Sequence, residues 1–172
     1  MATVSRSQVL SFKDHSLYLW SALFIAGNVL LPQLAHMVPD GGKIFLPIMF
    51  FTLIAAARFG IRCGLLTAIL SPLVSAALFG MPAGVMLGAC VLKSVLIATA
   101  IGLWQYKKLS FSILNIVLLV VGYQIAGFAI EGALFFGYQA AWADLLISWP
   151  GALLQMVVLW AVTRNMKSEA KA

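Results

Sequence analysis

The sequence predicts an all-α integral membrane protein, a compact bundle of six transmembrane helices that forms one domain over residues 1–172 with both termini in the cytoplasm. Three observations predict it. First, 63% of the residues are hydrophobic and 9% are charged, with a mean hydropathy of +1.03. A soluble domain carries roughly a quarter charged residues, and a core of this size cannot hide so much apolar surface from water. Second, the apolar residues fall into runs near the ~20 needed to cross bilayer hydrocarbon. Third, the basic residues are unevenly divided. With both termini inside, the cytoplasmic side holds Arg6, Lys13, Arg58, Arg62, Lys107, Lys108, Arg164, Lys167 and Lys171, and the outer side holds Lys43 alone. That asymmetry obeys the positive-inside rule and requires an even number of spans. The net charge of +6 therefore reads as topology, and nucleic-acid binding and soluble enzyme chemistry are excluded.

The elements follow in order. Residues up to Ser16 are polar and lack the apolar core and small-residue cleavage site of a signal peptide, so no leader is expected. The first span is expected over about 17–34, stopped near Pro32 and the polar stretch that follows. The second, 44–59, is short, with Pro47 in its first turn, where proline is tolerated. The third is 64–79, and the arginines at 58 and 62 separate it from the second. The fourth is 83–106, the fifth 111–136 and the sixth 142–163. Connections are only a few residues long. The outer ones carry His36, Pro39, Asp40, Tyr138 and Gln139, so a recognition site is expected to open outward.

Polar groups inside a bilayer are costly and mark functional or structural sites. Lys93 falls near the middle of the fourth span, Glu131 in the outer third of the fifth, and Gln124 two turns before Glu131 on the same face, beside Tyr123. Gln155 is mid-span in the sixth, and Asn28 is in the outer half of the first. One reading gathers Lys93, Glu131, Gln124, Tyr123, Gln155, Asn28 and the His36 loop around an outward-facing substrate pocket. The other is a structural Lys93–Glu131 pair with amides bonding neighbouring helices. The aromatics near the outer ends of the last two spans form either an interfacial belt or a stacking platform, with Trp149 the leading candidate for stacking. Trp149-Pro150-Gly151 should distort the sixth helix, which is tolerated at membrane depth where it lines a cavity. Ala22 and Ala26, spaced i, i+4, offer a small-residue face for close helix approach, within the chain or to a partner.

Cys63 and Cys90 lie at different expected depths, so no disulfide is expected, and no metal-ligand spacing, catalytic motif or ATP site is present in the sequence. No cofactor is expected, and any energy input must come from partners.

Certain segments resemble a known family. Ala22-Leu23-Phe24-Ile25-Ala26 matches the AxxxA pattern of the first helix in the substrate-binding S components of energy-coupling factor (ECF) vitamin transporters. Phe59-Gly60-Ile61-Arg62-Cys63-Gly64, Ser71-Pro72 and Phe79-Gly80-Met81-Pro82 resemble their glycine-punctuated third span and outer turn. The resemblance covers nearly the whole chain, including size and the short second span. It implies a multi-pass protein of the bacterial cytoplasmic (inner) membrane that captures a small water-soluble vitamin or precursor and is not an enzyme. It also implies that Ala22 and Ala26 contact a transmembrane coupling subunit below which two ATPases sit. Family members bind different vitamins through different side chains, so no ligand contact carries over. Cobalamin-specific members of this class can use a cysteine as cobalt ligand, and Cys90 is one turn from Lys93, but no metal is expected here. Two rival readings stand beside this one: a non-transporting membrane scaffold of the MreD type, and a solitary vitamin transporter.

Overall fold

The computed structural model describes residues 9–35, 37, 39 and 41–169, and side chains throughout these except those of residues 43 and 167–169. Among the described residues every regular element is a helix: α1 (His15–Ala35), α2 (Gly41–Phe45), a 3-10 turn (Pro47–Met49), α3 (Phe50–Phe59), α4 (Ile61–Phe79), α5 (Val85–Tyr106), α6 (Ile113–Leu134), α7 (Tyr138–Ile147) and α8 (Trp149–Glu169). Four of them, α1, α4, α5 and α6, are long and apolar enough to cross a membrane, and α7 with α8 makes a fifth if that bent pair is one span. The chain is thus a helical, multi-pass membrane protein.

Two of the expected spans are broken. The run 44–59 divides at Leu46, which takes a left-handed backbone (φ 50°, ψ 46°) between α2 and the 3-10 turn. Pro47 disfavours helical geometry in the residue before it, so helix is continuous only over Pro47–Phe59, short of a full crossing. The run 142–163 begins inside α7, and the chain bends by 54° between α7 and α8. The bend falls at the expected Trp149-Pro150-Gly151 sequence. The Ser148 amide closes α7 on the Asp144 carbonyl, and the Ser148 carbonyl opens α8 by accepting from Ala152. Pro150 lies between them in the first turn of α8, where its missing N–H has no helical partner to lose.

Close approach, rather than a water-driven core, holds such a bundle together. A Cβ on Gly64 would lie 2.7 Å from the Ala56 side chain and 2.9 Å from its Cα, so α3 and α4 meet there nearly backbone to backbone. Gly102 of α5 meets Ile61 in the same way, with a Cβ 2.6 Å from the Ile61 Cβ. Gly60 separates α3 from α4 at φ 88°, a conformation that side-chain-bearing residues rarely adopt.

A buried polar node joins α1, α3 and α4. The Asn28 amide nitrogen donates to the Thr52 hydroxyl (2.9 Å) and the Ser71 hydroxyl (3.0 Å), and its oxygen accepts from the Phe51 N–H (3.0 Å). Ser71 in turn donates to the Thr67 carbonyl (2.7 Å). Met49 precedes α3 with no side-chain oxygen to cap it, so an amide from another helix satisfies a first-turn donor of α3. Asn28, Thr52, Thr67 and Ser71 are all fully buried.

Replacing Asn28 by Ala leaves several of these groups without partners in an apolar setting. Each such group costs ~1–3 kcal/mol, so Asn28→Ala should destabilise the bundle by about that much or more. Denaturant titration of the protein in detergent micelles measures this, and an unchanged midpoint would show that the node is dispensable.

Candidate functional site

The site begins with Lys93. On α5 the inward stripe runs Ala89, Lys93, Ser94, Ile97, Ala98 and Ile101, and a helical period of 3.6 puts Lys93 among them. It stands eight residues into α5, about 12 Å from its start at 1.5 Å per residue. The stem lies over Gly127 of α6, where an added Cβ would be 3.5 Å from Lys93 Cγ and Cε. A Cβ there would sit in ordinary contact with the lysine stem, so α6 and the stem already pack closely.

The ammonium ends between two carboxylates. Lys93 Nζ is 2.8 Å from Glu131 Oε2 of α6 and 2.5 Å from Asp144 Oδ2 of α7. The lysine and Glu131 side chains are 7% and 2% exposed, that of Asp144 25%. Asp144 reaches the pair because α7 folds back along α6. The Tyr138 ring occupies the space that a side chain at Gly132 would fill. Phe128 packs on Tyr138 and Trp142 at ring-centroid distances of 5.9 and 5.8 Å. Ala141 is the one residue of α7 that is fully buried, so the ion pair is a main inward anchor of this helix.

This trio forms the polar end of a cavity of about 530 Å³. Pro32, Pro47 and Pro82, the methionines Met49, Met81 and Met86, and Leu46, Ile48 and Phe136 supply its apolar walls, with Ser75 and Cys90 as small polar groups. Both broken segments contribute: the Leu46–Met49 stretch is wall, and Asp144 comes from the helix before the 54° bend. Irregular backbone at membrane depth is tolerated where it lines a cavity. A volume in the hundreds of cubic ångströms with few convergent polar groups is typical of a small-molecule site.

Of the residues picked from the sequence, Lys93 and Glu131 line the cavity together. Asp144, which the sequence reading passed over, joins them. Tyr123, Gln124 and Gln155 are buried but form no part of the cavity wall. The Tyr123 hydroxyl donates to the Gln155 carbonyl oxygen across α6 and α8. Gln124 Oε1, Gln155 Nε2 and Ser94 Oγ are buried without a hydrogen-bond partner among the described residues. Asn28 belongs to the node between α1, α3 and α4, away from the cavity wall. Trp149 points outward, 61% exposed. His36 lies outside the described residues. Ala22 and Ala26 are exposed on α1, beside the exposed Leu19, Leu23 and Leu30. Cys90 lines the cavity, and among the described residues no group of three His, Cys, Asp or Glu could hold a metal ion. Asp144 was detectable, because an ionisable residue within an apolar run is a site candidate by default. The expected start of a span at Trp142 put it at the membrane surface, where a charge asks for no explanation.

Fold and site together define a multi-pass helical membrane protein with a largely apolar cavity that ends in a buried ion trio. Comparison with protein-family models, curated proteins and solved structures finds no match to this chain.

Lys93→Met would leave two carboxylates facing each other in an apolar setting. Breaking a buried pair by removing one partner costs roughly 3–5 kcal/mol, so this variant should unfold far more readily than wild type in detergent. Adding Glu131→Gln and Asp144→Asn should restore most of the loss, whereas Lys93→Met with Glu131→Gln alone should restore less, because the Asp144 carboxylate is left without its partner. Equal recovery in the double and triple variants would remove Asp144 from the network.

Proposed function

We propose that this chain is the membrane-embedded substrate-capture subunit of an ECF-type uptake transporter for a small water-soluble vitamin or precursor, with ATP hydrolysis supplied by partner subunits. The observation that carries the reading is the cavity with its charged floor. A purely structural bundle has no use for 530 Å³ of lined space that reaches a buried ion trio.

The position of the cavity within the bundle supports the same reading. Its wall comes from the C-terminal parts of α1, α4 and α6 and the N-terminal part of α5. The basic residues gather at the other end: Arg62 lies over the Phe12 ring, and Lys107 and Lys108 follow α5. By the positive-inside rule the basic end is cytoplasmic and the cavity faces outward. Counting the 47–59 helix and the bent α7–α8 pair as spans gives six, with both termini cytoplasmic, in a bacterial inner membrane. The exposed face of α1 around Ala22 and Ala26 then suits a coupling subunit, since small residues allow a partner helix to come close.

Purification from native membranes in mild detergent tests the reading. Mass spectrometry of the extract should find a bound small molecule, and the coupling subunit and two ATPases should co-purify. Ala22→Trp and Ala26→Trp should lose those partners while keeping the small molecule, because the cavity lies elsewhere. A protein that carries neither ligand nor partners would end this reading.

Orientation has its own test. A cysteine introduced at Gln139 should react with an impermeant thiol reagent applied outside intact cells, and one at Lys108 should not. The reverse pattern would turn the topology over.

A further inference from the structure

We infer that the ligand of this cavity is an organic monocation whose positive group sits against Asp144 while a flat apolar body lies among the methionine and proline side chains. The inference rests on the reading of the cavity as a substrate site and adds the charge class of the substrate.

Charge counting carries the argument. One ammonium, Lys93, serves two carboxylates, at 2.8 Å from Glu131 and 2.5 Å from Asp144. The formal sum of the trio is one negative charge, and Lys93 is the one cation among the described residues of the wall. The excess is not evenly placed. Lys93 and Glu131 are closed off at 7% and 2% exposure, while Asp144 remains 25% exposed. The unbalanced charge therefore sits on the accessible side of the trio.

Walls of low polarity strengthen any electrostatic preference inside them. A cationic group beside Asp144 brings the site to neutrality. An anionic ligand would double the excess and compete for an ammonium that two carboxylates already hold. A bare divalent ion would have to expel Lys93, and no three-ligand set exists among the described residues to receive it. The walls describe the rest of the molecule. Met49, Met81 and Met86 present polarisable thioethers, which pack well on aromatic rings, and Phe136 adds a ring of its own.

The full chain in lipid nanodiscs, with empty discs as the blank, allows the test. Three probes share one frame and differ in charge: 2-naphthylmethylammonium, 2-naphthylmethanol and 2-naphthoate. Calorimetry should show the ammonium probe binding at least tenfold more tightly than the other two. Asp144→Asn should bring it down to the level of the alcohol, and Asp144→Glu should keep the preference. Asp144→Asn leaves Lys93 and Glu131 a balanced pair, so folding should survive. If it does not, the order of the three probes on wild type and Asp144→Glu decides. Tightest binding by the carboxylate, equal binding, no binding, or a cation preference that survives Asp144→Asn would each overturn the inference. Small molecules that co-purify separate the two levels of the argument. A neutral or anionic one overturns the charge class alone. An empty protein that also binds no probe overturns the substrate-site reading as well.

Discussion

An ammonium placed inside an apolar helix bundle has no water to turn to, and the folded state must supply its counter-charge. Lys93 finds it on two other helices at once, at Glu131 of α6 and Asp144 of α7. An isolated charge at membrane depth costs several kcal/mol, so α5, α6 and α7 are tied into one arrangement by a demand that none can meet alone. Gly132 is a steric condition for it: the missing side chain lets Tyr138 bring α7 back along α6, while the lysine stem packs over Gly127 in ordinary contact.

The other half of the bundle rests on a neutral version of the same logic. Asn28 serves Thr52, Ser71 and the Phe51 amide, so α1, α3 and α4 share one satisfied polar node. Around it the helices pack by close contact, at Gly64 against Ala56 and at Gly102 against Ile61. Apolar attraction does little to choose partners when the solvent is itself apolar, so polar nodes and small residues specify which faces meet.

The cavity arises where this regular packing fails. Pro47 and the left-handed Leu46 stop one helix short, and Pro150 forces a bend before α8. The start of α8 then presses on α2, where a Cβ at Gly151 would lie 2.7 Å from the Ile44 carbonyl oxygen. Two interrupted segments thus meet near one end of the bundle, and the space between them reaches the ion trio. Charge and void coincide because both need helices that do not run straight past each other.

Much of this was legible in the sequence. Composition and run length established an apolar helical bundle, Lys93 and Glu131 declared themselves by being ionisable within apolar runs, and Trp149-Pro150-Gly151 announced the bend. These are local consequences of solvation and of proline's missing donor, and they need no partner to be read. What the tertiary structure alone decided was which polar group goes with which. Asn28 and Glu131 look alike in sequence, each a polar residue in an outer half-span, yet one closes a structural node and the other faces the cavity. Asp144 looked like a surface charge until α7 was seen folded along α6. The inward stripe of α6, from Ile116 through Tyr123 and Gly127 to Glu131, is invisible to hydropathy because the lipid-facing side is equally apolar. In water an amphipathic pattern tells the inside of a helix from its outside. In lipid that contrast vanishes, and only the packing of helices far apart in sequence determines which side of each one faces the site.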